Sequence, residues 1–390
     1  MSKTSLDKLA PRLVDCDNKL YKLLSQLELL QYINPINAEK ERLKFFRNRY
    51  YYEPDFRYPK CKVRLDKIRK SLNQIKVQKI EHPLARLLYE QTVWYFNGIL
   101  DCIGTVGQGN LFLHSSLKTF GSPSHQDLKI ANLILNLSPA SHSVTESEWF
   151  STKQAADYMR AYNQSYGFDV RVEEVTHISS KAMVSNRIPA VYLRKNQKFS
   201  KTELIALSNH EIGVHLVTTF NAHQQPLRLF QLGLPFNVET QEGLAVLSEY
   251  YSGSLTLDRL RELALRVILA DRVSKSYSFS SSFDLLTTTY KMDRDTAFKM
   301  VTRLYRGGGF TKDRLYLSGL YQLLTHGDLP LEWLLAGKTT LAYIDLVREL
   351  NEEIPVLRPL VHSSLSFENH LGIGTPADKL IKTVLESLKE

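Results

Sequence analysis

The feature that most constrains this fold is a pair of histidines five residues apart, His210 and His215, inside a segment with a helical pattern. Glu211 follows the first histidine, so the segment reads HExxxH. Ser200 and Glu203 form a capping box, which predicts that the helix begins directly after Ser200. Histidines at i and i+4 lie about 40° apart around a regular helix, whereas at i and i+5 they lie about 140° apart. On a regular helix these two imidazoles would therefore point to different faces.

A shared face for the two imidazoles requires a departure from regular helical geometry. A one-residue π-bulge, whose turn closes from i to i+5, restores that face, and such bulges are frequent at functional sites. Gly213 lies inside the turn and tolerates the distortion because it has no Cβ. We therefore predict either a π-bulge or another irregular turn. Without one, these are two ordinary helix histidines.

Two imidazoles beside a carboxylate on a helix form the local arrangement of many zinc peptidases. In that arrangement the histidines bind Zn2+ and the glutamate acts on water. A third ligand usually comes from a neighbouring helix. The later segment ETQEGLAVLSEYY supplies three candidates, and spacing alone selects none of them: Glu239, Glu242 and Glu249.

Four segments occur in an order that resembles a known family: HEIGVH, QPLRLFQLGLP, ETQEGLAVLSEY and YRGGGFTKDRLYLSGL. They resemble the QEGLA-motif metallopeptidase family, which also contains the MATCAP-type tubulin tyrosine carboxypeptidases. The resemblance implies a zincin-like core with His210, His215 and Glu242 as ligands of Zn2+ and with Glu211 as the catalytic base. Glu242 is preferred among the three glutamates because it stands immediately before Gly-Leu-Ala.

The resemblance also implies hydrolysis of a peptide bond, most specifically by a carboxypeptidase that removes a C-terminal residue from a protein tail. Tyr316, in the last family-like segment, is the candidate donor to the developing oxyanion. Arg306 and Lys312 bracket a glycine loop and are candidates for binding the substrate's terminal carboxylate, or else are surface charges. The alternative is a non-catalytic metal-binding protein with a regulatory or interaction role.

Positive charge is concentrated in residues 40–79, called the basic belt here. It holds fourteen lysines and arginines against four acidic residues, whereas the whole chain has a net charge of +9. Such a field can hold an acidic polypeptide or a nucleic acid, or be a solvated face. No recognised nucleic-acid module is present, so we expect a peptide or protein tail as partner, with an acidic tail as one option. The sequence does not specify the oligomeric state.

The cellular compartment is predicted from cysteines and apolar runs. Cys16, Cys61 and Cys102 are too few and too scattered for a disulfide framework or a thiolate zinc site. No apolar run approaches the roughly 18–20 residues that span a bilayer, and the N-terminus lacks the core of a signal peptide. We therefore expect a cytoplasmic protein.

The spacing of apolar residues predicts a mainly α-helical protein with a small antiparallel β-sheet, an α+β fold. Asn237 or Thr240 is expected to cap the QEGLA helix and Gly253 to end it. We divide the chain into an N-terminal helical region, residues 1–143, and a zincin-like catalytic core, residues 144–390. Other predicted helices cover 5–31, 38–49, 62–80, 83–103, 125–136 and 145–165, the last opening at Ser143 or Thr145. Predicted strands cover 169–175, 181–185 and 188–194, with a turn at 185–187.

Overall fold

The computed structural model describes residues 10–137, 148–176, 178, 180–185, 189–369 and 371–389, and this part of the chain is mostly helical, as predicted. Its α-helices, in chain order, are α1 (Pro11–Leu24), α2 (Leu30–Ile33), α3 (Ala38–Arg47), α4 (Leu65–Gln74), α5 (Pro83–Thr105), α6 (Asn110–Phe120), α7 (His125–Leu137), α8 (Thr152–Ser165), α9 (Lys201–His210), α10 (Val217–Gln224), α11 (Leu229–Leu232), α12 (Asn237–Tyr251), α13 (Leu257–Ser274), α14 (Phe279–Asp284), α15 (Arg294–Tyr305), α16 (Leu315–Thr325), α17 (Leu331–Leu334), α18 (Ile344–Glu353), α19 (Ser366–Asn369) and α20 (Pro376–Ser387). Two π-helical turns lie at Glu211–Leu216 and Leu285–Thr289, and 3-10 turns lie at Val77–Lys79, Arg306–Gly308, Thr311–Arg314 and Leu341–Tyr343.

Two small sheets complete the described structure. Their strands are β1 (Trp149–Ser151), β2 (Arg171–Val175), β3 (Ala182–Ser185), β4 (Ala190–Arg194) and β5 (Lys198–Ser200). β1 pairs with β5 antiparallel, and the other sheet has the order β2-β4-β3. The predicted antiparallel pairing is confirmed for β3 with β4 but is wrong for β2 with β4, which run parallel. β3 runs opposite to β4, whereas β4 runs in the same direction as β2.

Three predicted helices have boundaries that differ clearly from the structure. The helix predicted over 62–80 covers only Leu65–Gln74, because the chain becomes extended at Ile75 before a 3-10 turn at Val77–Lys79. The helix predicted over 5–31 ends at Leu24, and the break before α2 lets Leu29 and Ile33 pack in the same apolar cluster as α1. The helix predicted over 145–165 begins at Thr152, because Ser151 caps it by accepting a hydrogen bond from the amide of Gln154. The proposed starts at Ser143 and Thr145 lie outside the described residues, as does part of the turn at 185–187.

The capping box predicted for α9 is only half formed. Ser200 caps the helix, accepting a hydrogen bond from the amide of Glu203 at 3.2 Å. The Glu203 side chain does not return to Ser200; it binds Lys181 at 2.6 Å. A lysine directly before β3 therefore outcompetes the backbone amide for this carboxylate.

The cap predicted for α12 is wrong, although its end is confirmed. Phe236 precedes the helix in a left-handed conformation, with φ 62°, and its side chain makes no capping hydrogen bond. Asn237 donates its side-chain amide to Leu234 O instead, and Thr240 accepts from the amide of Leu341. Both predicted caps thus bind loops outside the helix. Gly253 follows the helix with φ 73°, a conformation that glycine adopts without strain.

The core consists of three apolar clusters among the described residues. One joins α7, α12, α13, α15 and α16, another joins α1, α4 and α5 to α11, and the third packs α8 and the π turn on the larger sheet. Residues from the first 137 positions of the chain pack against residues much later in the sequence. The centroid of the Phe45 ring lies 4.9 Å from that of Phe283 and 5.2 Å from that of Phe279. The boundary at 143/144 lies outside the described residues, so the division at that point stays a prediction.

A pair of glycines sets the close approach of α12 and α16. A Cβ on Gly243 would lie 2.5 Å from the backbone carbon of Gly319, and a Cβ on Gly319 would meet the carbonyl of Glu239. Only glycine leaves room for this contact, which fixes α12 and the carboxylate that it carries against its neighbour.

Replacing Gly243 by alanine is expected to lower the free energy of unfolding by about 1–3 kcal/mol, because the added methyl group overpacks two backbones that cannot move independently. Chemical denaturation measures the change. Gly327→Ala is the matched control, since nothing lies within 4 Å of a Cβ there. Equal stability of the two variants would contradict this account of the α12–α16 contact.

Candidate functional site

The helix that carries the two histidines contains the distortion that their spacing requires. α9 ends at His210, residues Glu211–Leu216 form a π-helical turn, and α10 continues from Val217. The turn brings the rings of His210 and His215 to 5.0 Å between centroids. The predicted π-bulge is therefore confirmed, and the imidazoles converge.

Glu242 brings a carboxylate from α12 to the same point. Its Oε2 lies 3.7 Å from His210 Nε2 and 3.9 Å from His215 Nε2, and all three side chains are at most 18% exposed. One donor atom from each residue lies within 4.8 Å of the other two. Ligands of a tetrahedral zinc ion at about 2.0–2.1 Å are roughly 3.4 Å apart. The three donors therefore have the type and spacing of a set that could hold a divalent cation.

Glu239, a competing candidate for the third ligand, has other partners. Its carboxylate accepts a hydrogen bond from the hydroxyl of Ser318 and lies 3.8 Å from Arg314 Nη1. The structure therefore does not bring Glu239 together with the histidines.

Glu249, the remaining competitor, contacts one histidine from behind. Its Oε1 accepts a hydrogen bond from His210 Nδ1 at 2.8 Å, and Arg259 Nε donates to its Oε2 at 3.2 Å. With Nδ1 bound in this way, His210 presents Nε2 toward Glu242. A carboxylate behind a metal-binding histidine fixes both the ring orientation and the tautomer. Two helical turns separate Glu249 from Glu242, which was visible in the sequence, but its bond to His210 was not.

Glu211 is the first residue of the π turn, and its side chain contacts β3. Its Oε2 accepts a hydrogen bond from the amide of Val184 at 3.1 Å, and the residue is 9% exposed. Burial raises the pKa of this carboxyl, while the charge of His210 opposes the rise. Oε1 makes no hydrogen bond to the described residues, so the carboxylate is held at one oxygen and can exchange a proton at the other.

The two imidazoles have opposite pKa shifts. Burial lowers the pKa of His210, but Glu242 and Glu249 outweigh burial and raise it to about 9. Burial lowers the pKa of His215 to about 3, against the opposing charge of Glu242. Since neutral imidazole is the form that binds metal, a cation that binds here must displace a proton from His210.

Lys312, a sequence candidate for binding the substrate carboxylate, contacts Glu242. Its Nζ lies 2.6 Å from Glu242 Oε1, the oxygen that does not face the histidines. Burial raises the pKa of Glu242, but Lys312 and both histidines outweigh burial and hold that pKa well below its usual range. The ammonium therefore keeps the carboxylate ionised and fixes which oxygen faces the imidazoles.

Tyr316, the candidate donor to the oxyanion, lies beside His210. Its ring is nearly parallel to that of His210, with the centroids 6.3 Å apart. Three cations surround the ring: Lys312 at 5.0 Å, Arg266 at 5.4 Å and Arg303 at 6.0 Å. Arg303 Nη2 donates to the Tyr316 hydroxyl at 3.5 Å, which leaves the hydroxyl proton available to another acceptor.

Arg306 is placed differently from Lys312. It is 5% exposed, its Nη1 donates to Asn34 Oδ1 at 2.7 Å, and its guanidinium lies 5.2 Å from the centroid of the Phe310 ring. Burial lowers its pKa to about 10. Within the described chain it has no contact with the three converging side chains.

The basic belt is partly neutralised by its own neighbourhood. Four of its cations form ion pairs with acidic residues: Arg42, Lys44, Arg64 and Arg69. Others are exposed and form no ion pair with the described residues, among them Lys60, Lys62, Lys67 and Lys70.

None of the described helices combines the length and apolar character needed to cross a membrane.

Comparison with known proteins places the chain in a family. The family model described as microtubule-associated tyrosine carboxypeptidase, MATCAP, matches residues 43–371. The chain is similar to microtubule-associated tyrosine carboxypeptidase 1 of Homo sapiens, with 26% identity over 343 residues, which cover 82% of this chain and 61% of the human protein. The proteins of the same name from Mus musculus and Rattus norvegicus are 25% identical over 316 residues, covering 76% of this chain and 57% of each relative. The chain thus spans about six-tenths of the length of these curated relatives. Because the family model matches most of the chain and agrees with the motifs in the sequence, the chain belongs to the microtubule-associated tyrosine carboxypeptidase family.

Proposed function

We propose that this protein is a zinc-dependent metallocarboxypeptidase that removes a C-terminal residue from a protein tail. The observation that carries the proposal is the convergence of His210, His215 and Glu242 on one point, with Glu211 beside them. Relatives named tyrosine carboxypeptidases supply the class of reaction.

The donor chemistry supports zinc as the metal. Two imidazoles and one carboxylate are the protein ligands of His2Glu catalytic zinc sites, which keep a further position open. Zinc bound to such a set lowers the pKa of water and polarises a carbonyl group. Glu249 orients His210 and Lys312 holds the second oxygen of Glu242, so neighbouring side chains support two of the three proposed ligands.

Glu211 is the proposed general base. Because the amide of Val184 holds Oε2, Oε1 is the atom that takes the proton from the attacking water. The same oxygen then delivers that proton to the nitrogen of the departing amino acid as the peptide bond breaks.

The position of β3 supports a way of aligning the substrate. This strand is at an edge of its sheet among the described strands, and the Val184 amide points away from β4 toward Glu211. An extended peptide can add to such an edge through main-chain hydrogen bonds, which would bring its scissile bond next to Glu211. We assign Tyr316 as the donor to the developing oxyanion.

The proposed substrate is a tail that ends in a free carboxylate. Tyrosine is the terminal residue to test first, because the relatives are named for it. The exposed lysines of the basic belt support an acidic tail. All three cysteines are free thiols, which suits the cytoplasmic location that we propose.

Peptides with varied C-termini test the proposed function. The zinc-loaded chain is incubated with acidic peptides that differ only in the last residue, and the products are weighed by mass spectrometry. We expect loss of a single terminal residue, and no reaction of the same peptides with an amidated C-terminus. A chain that binds zinc but shortens no peptide would contradict the enzyme and favour a non-catalytic metal-binding protein.

Replacing Glu249 by glutamine is expected to weaken zinc binding about 10- to 100-fold, because His210 loses the charged partner that orients it. Competition with a chromophoric chelator measures the affinity. Glu386→Gln on the exposed face of α20 is the matched control. Equal affinity in both variants would remove Glu249 from the support of the site.

A further inference from the structure

The backbone of Glu249 is fixed by the connection between α12 and α13. Its carbonyl oxygen accepts hydrogen bonds from the amides of Ser254 and Leu255 at 3.0 and 2.9 Å. The hydroxyls of Ser252 and Ser254 donate to the same oxygen at 3.0 and 3.2 Å. Glu249 therefore has a defined main-chain position, and only its side chain remains to be oriented.

The side chain of Glu249 is held by an arginine in the first turn of α13. Thr256 caps this helix by accepting a hydrogen bond from the amide of Arg259 at 3.1 Å, which fixes the base of the arginine side chain. Arg259 donates from Nε to Glu249 Oε2 at 3.2 Å and from Nη2 to Oε1 at 3.4 Å. The guanidinium thus contacts both carboxylate oxygens, the paired arrangement that gives arginine–carboxylate contacts their geometric specificity.

The third nitrogen of the same guanidinium is held as well. Arg259 Nη1 donates to Glu262 Oε2 at 3.0 Å, about one helical turn further along α13. The other oxygen of Glu262 accepts from Arg266, another turn along the same helix. Because all three guanidinium nitrogens have an acceptor, Arg259 cannot turn away from Glu249 without losing contacts on both sides.

One oxygen of Glu249 joins this arrangement to the proposed zinc site. Oε1 accepts a hydrogen bond from Arg259 Nη2 and, at 2.8 Å, from His210 Nδ1. A rotation of the carboxylate would move this acceptor and would turn the imidazole with it. His210 Nε2, which lies 3.7 Å from Glu242 Oε2, would then leave the point where the three proposed ligands converge.

The contacts of Arg259 go beyond those of a pair that only supports its own helix. Arg259 and Glu262 are three residues apart, and exposed pairs of that kind contribute little to stability. Arg259 also reaches across to α12, where Glu249 is 2% exposed. A buried carboxylate without a cation is costly, and among the described lysines and arginines only Arg259 forms an ion pair with Glu249.

We propose that Arg259 is a positioning residue of the proposed zinc site and acts on His210 through Glu249. This inference rests on the proposed function, because it requires His210 to bind the metal. It extends the site to α13, a helix that supplies none of the three proposed ligands.

Replacing Arg259 by glutamine tests the proposal through zinc affinity, measured by competition with a chromophoric chelator at fixed pH. We expect the affinity to fall about tenfold, the lower end of the range for residues that support a metal ligand, because Arg259 acts one contact further out than Glu249. Arg12→Gln is the matched control, since Arg12 is an exposed arginine in an ion pair with Glu81 at 3.3 Å. The zinc affinity of this control should equal that of the parent.

The combination with Glu249→Gln separates positioning from a general effect on the fold. Because Arg259 acts through Glu249, the double variant should bind zinc as weakly as Glu249→Gln alone and no more weakly. A further tenfold loss in the double variant would show that Arg259 acts by another route and would overturn the proposal. Thermal unfolding of the metal-free chains checks that each variant is folded.

Arg259→Lys keeps the test decisive if Arg259→Gln does not fold. Lysine retains the positive charge, but its ammonium lacks the planar fork that contacts both carboxylate oxygens, so zinc affinity should still fall several-fold. A folded Arg259→Gln or Arg259→Lys chain with the zinc affinity of the parent would overturn the role of Arg259 alone. A parent chain that binds no zinc would overturn the proposed function and, with it, this inference.

Discussion

Replacing Glu211 by glutamine is expected to reduce kcat about 10²- to 10⁴-fold, the range for loss of a general acid–base group. Glutamine has nearly the same shape and can still accept the hydrogen bond from the Val184 amide through its carbonyl oxygen. It cannot take a proton from water at neutral pH. The three proposed zinc ligands are unchanged, so the variant should bind zinc as the parent does.

Peptide cleavage followed by mass spectrometry and zinc content by elemental analysis give the two readouts for this variant. Glu174→Gln is a matched control because Glu174 is an exposed glutamate on β2. An active Glu211→Gln enzyme would end the assignment of Glu211 as base. A variant that loses both zinc and activity would show that Glu211 supports the metal site and would leave its proton transfer without support.

Replacing His215 by alanine is expected to weaken zinc binding by at least about a hundredfold and to abolish hydrolysis. The free energy of zinc binding to four-ligand sites is about 10–16 kcal/mol, so each ligand contributes roughly 3 kcal/mol on average. The loss should exceed that of Glu249→Gln, because His215 contributes a donor atom whereas Glu249 only orients one.

A chelator competition at fixed pH measures the affinity of His215→Ala. His223→Ala is the matched control, since His223 is exposed and lies eight residues further along the same helical run. Unchanged zinc affinity in His215→Ala would show that this histidine is not a ligand. The π turn would then have no role in metal binding.

The local part of the site could be predicted from the sequence. The five-residue spacing of His210 and His215 requires a departure from helical geometry, and the structure has a π turn at that point. Helical periodicity is a property of a few consecutive residues, so a short stretch of sequence is enough to reveal a departure from it. The choice of Glu242 over its neighbours needed the family motif, since three glutamates on one helix look alike in the sequence.

The contacts that reach across the chain could not be predicted. Lys312 lies seventy residues from Glu242 in the sequence, and only the packing of α12 on α16 brings their charges together. Glu203 leaves its expected cap for Lys181 for the same reason, because a tertiary ion pair replaces a local hydrogen bond. The parallel pairing of β2 with β4 likewise depends on the path of the chain, which the alternation of apolar residues does not encode.

X-ray absorption at the zinc edge, measured on the purified zinc-loaded chain, tests most directly whether His210, His215 and Glu242 bind one cation. We expect one zinc ion per chain with two imidazole nitrogens and oxygen donors at about 2.0–2.1 Å, and no sulfur. A spectrum with thiolate ligands or without imidazole scattering would contradict it, as would a chain that takes up no zinc.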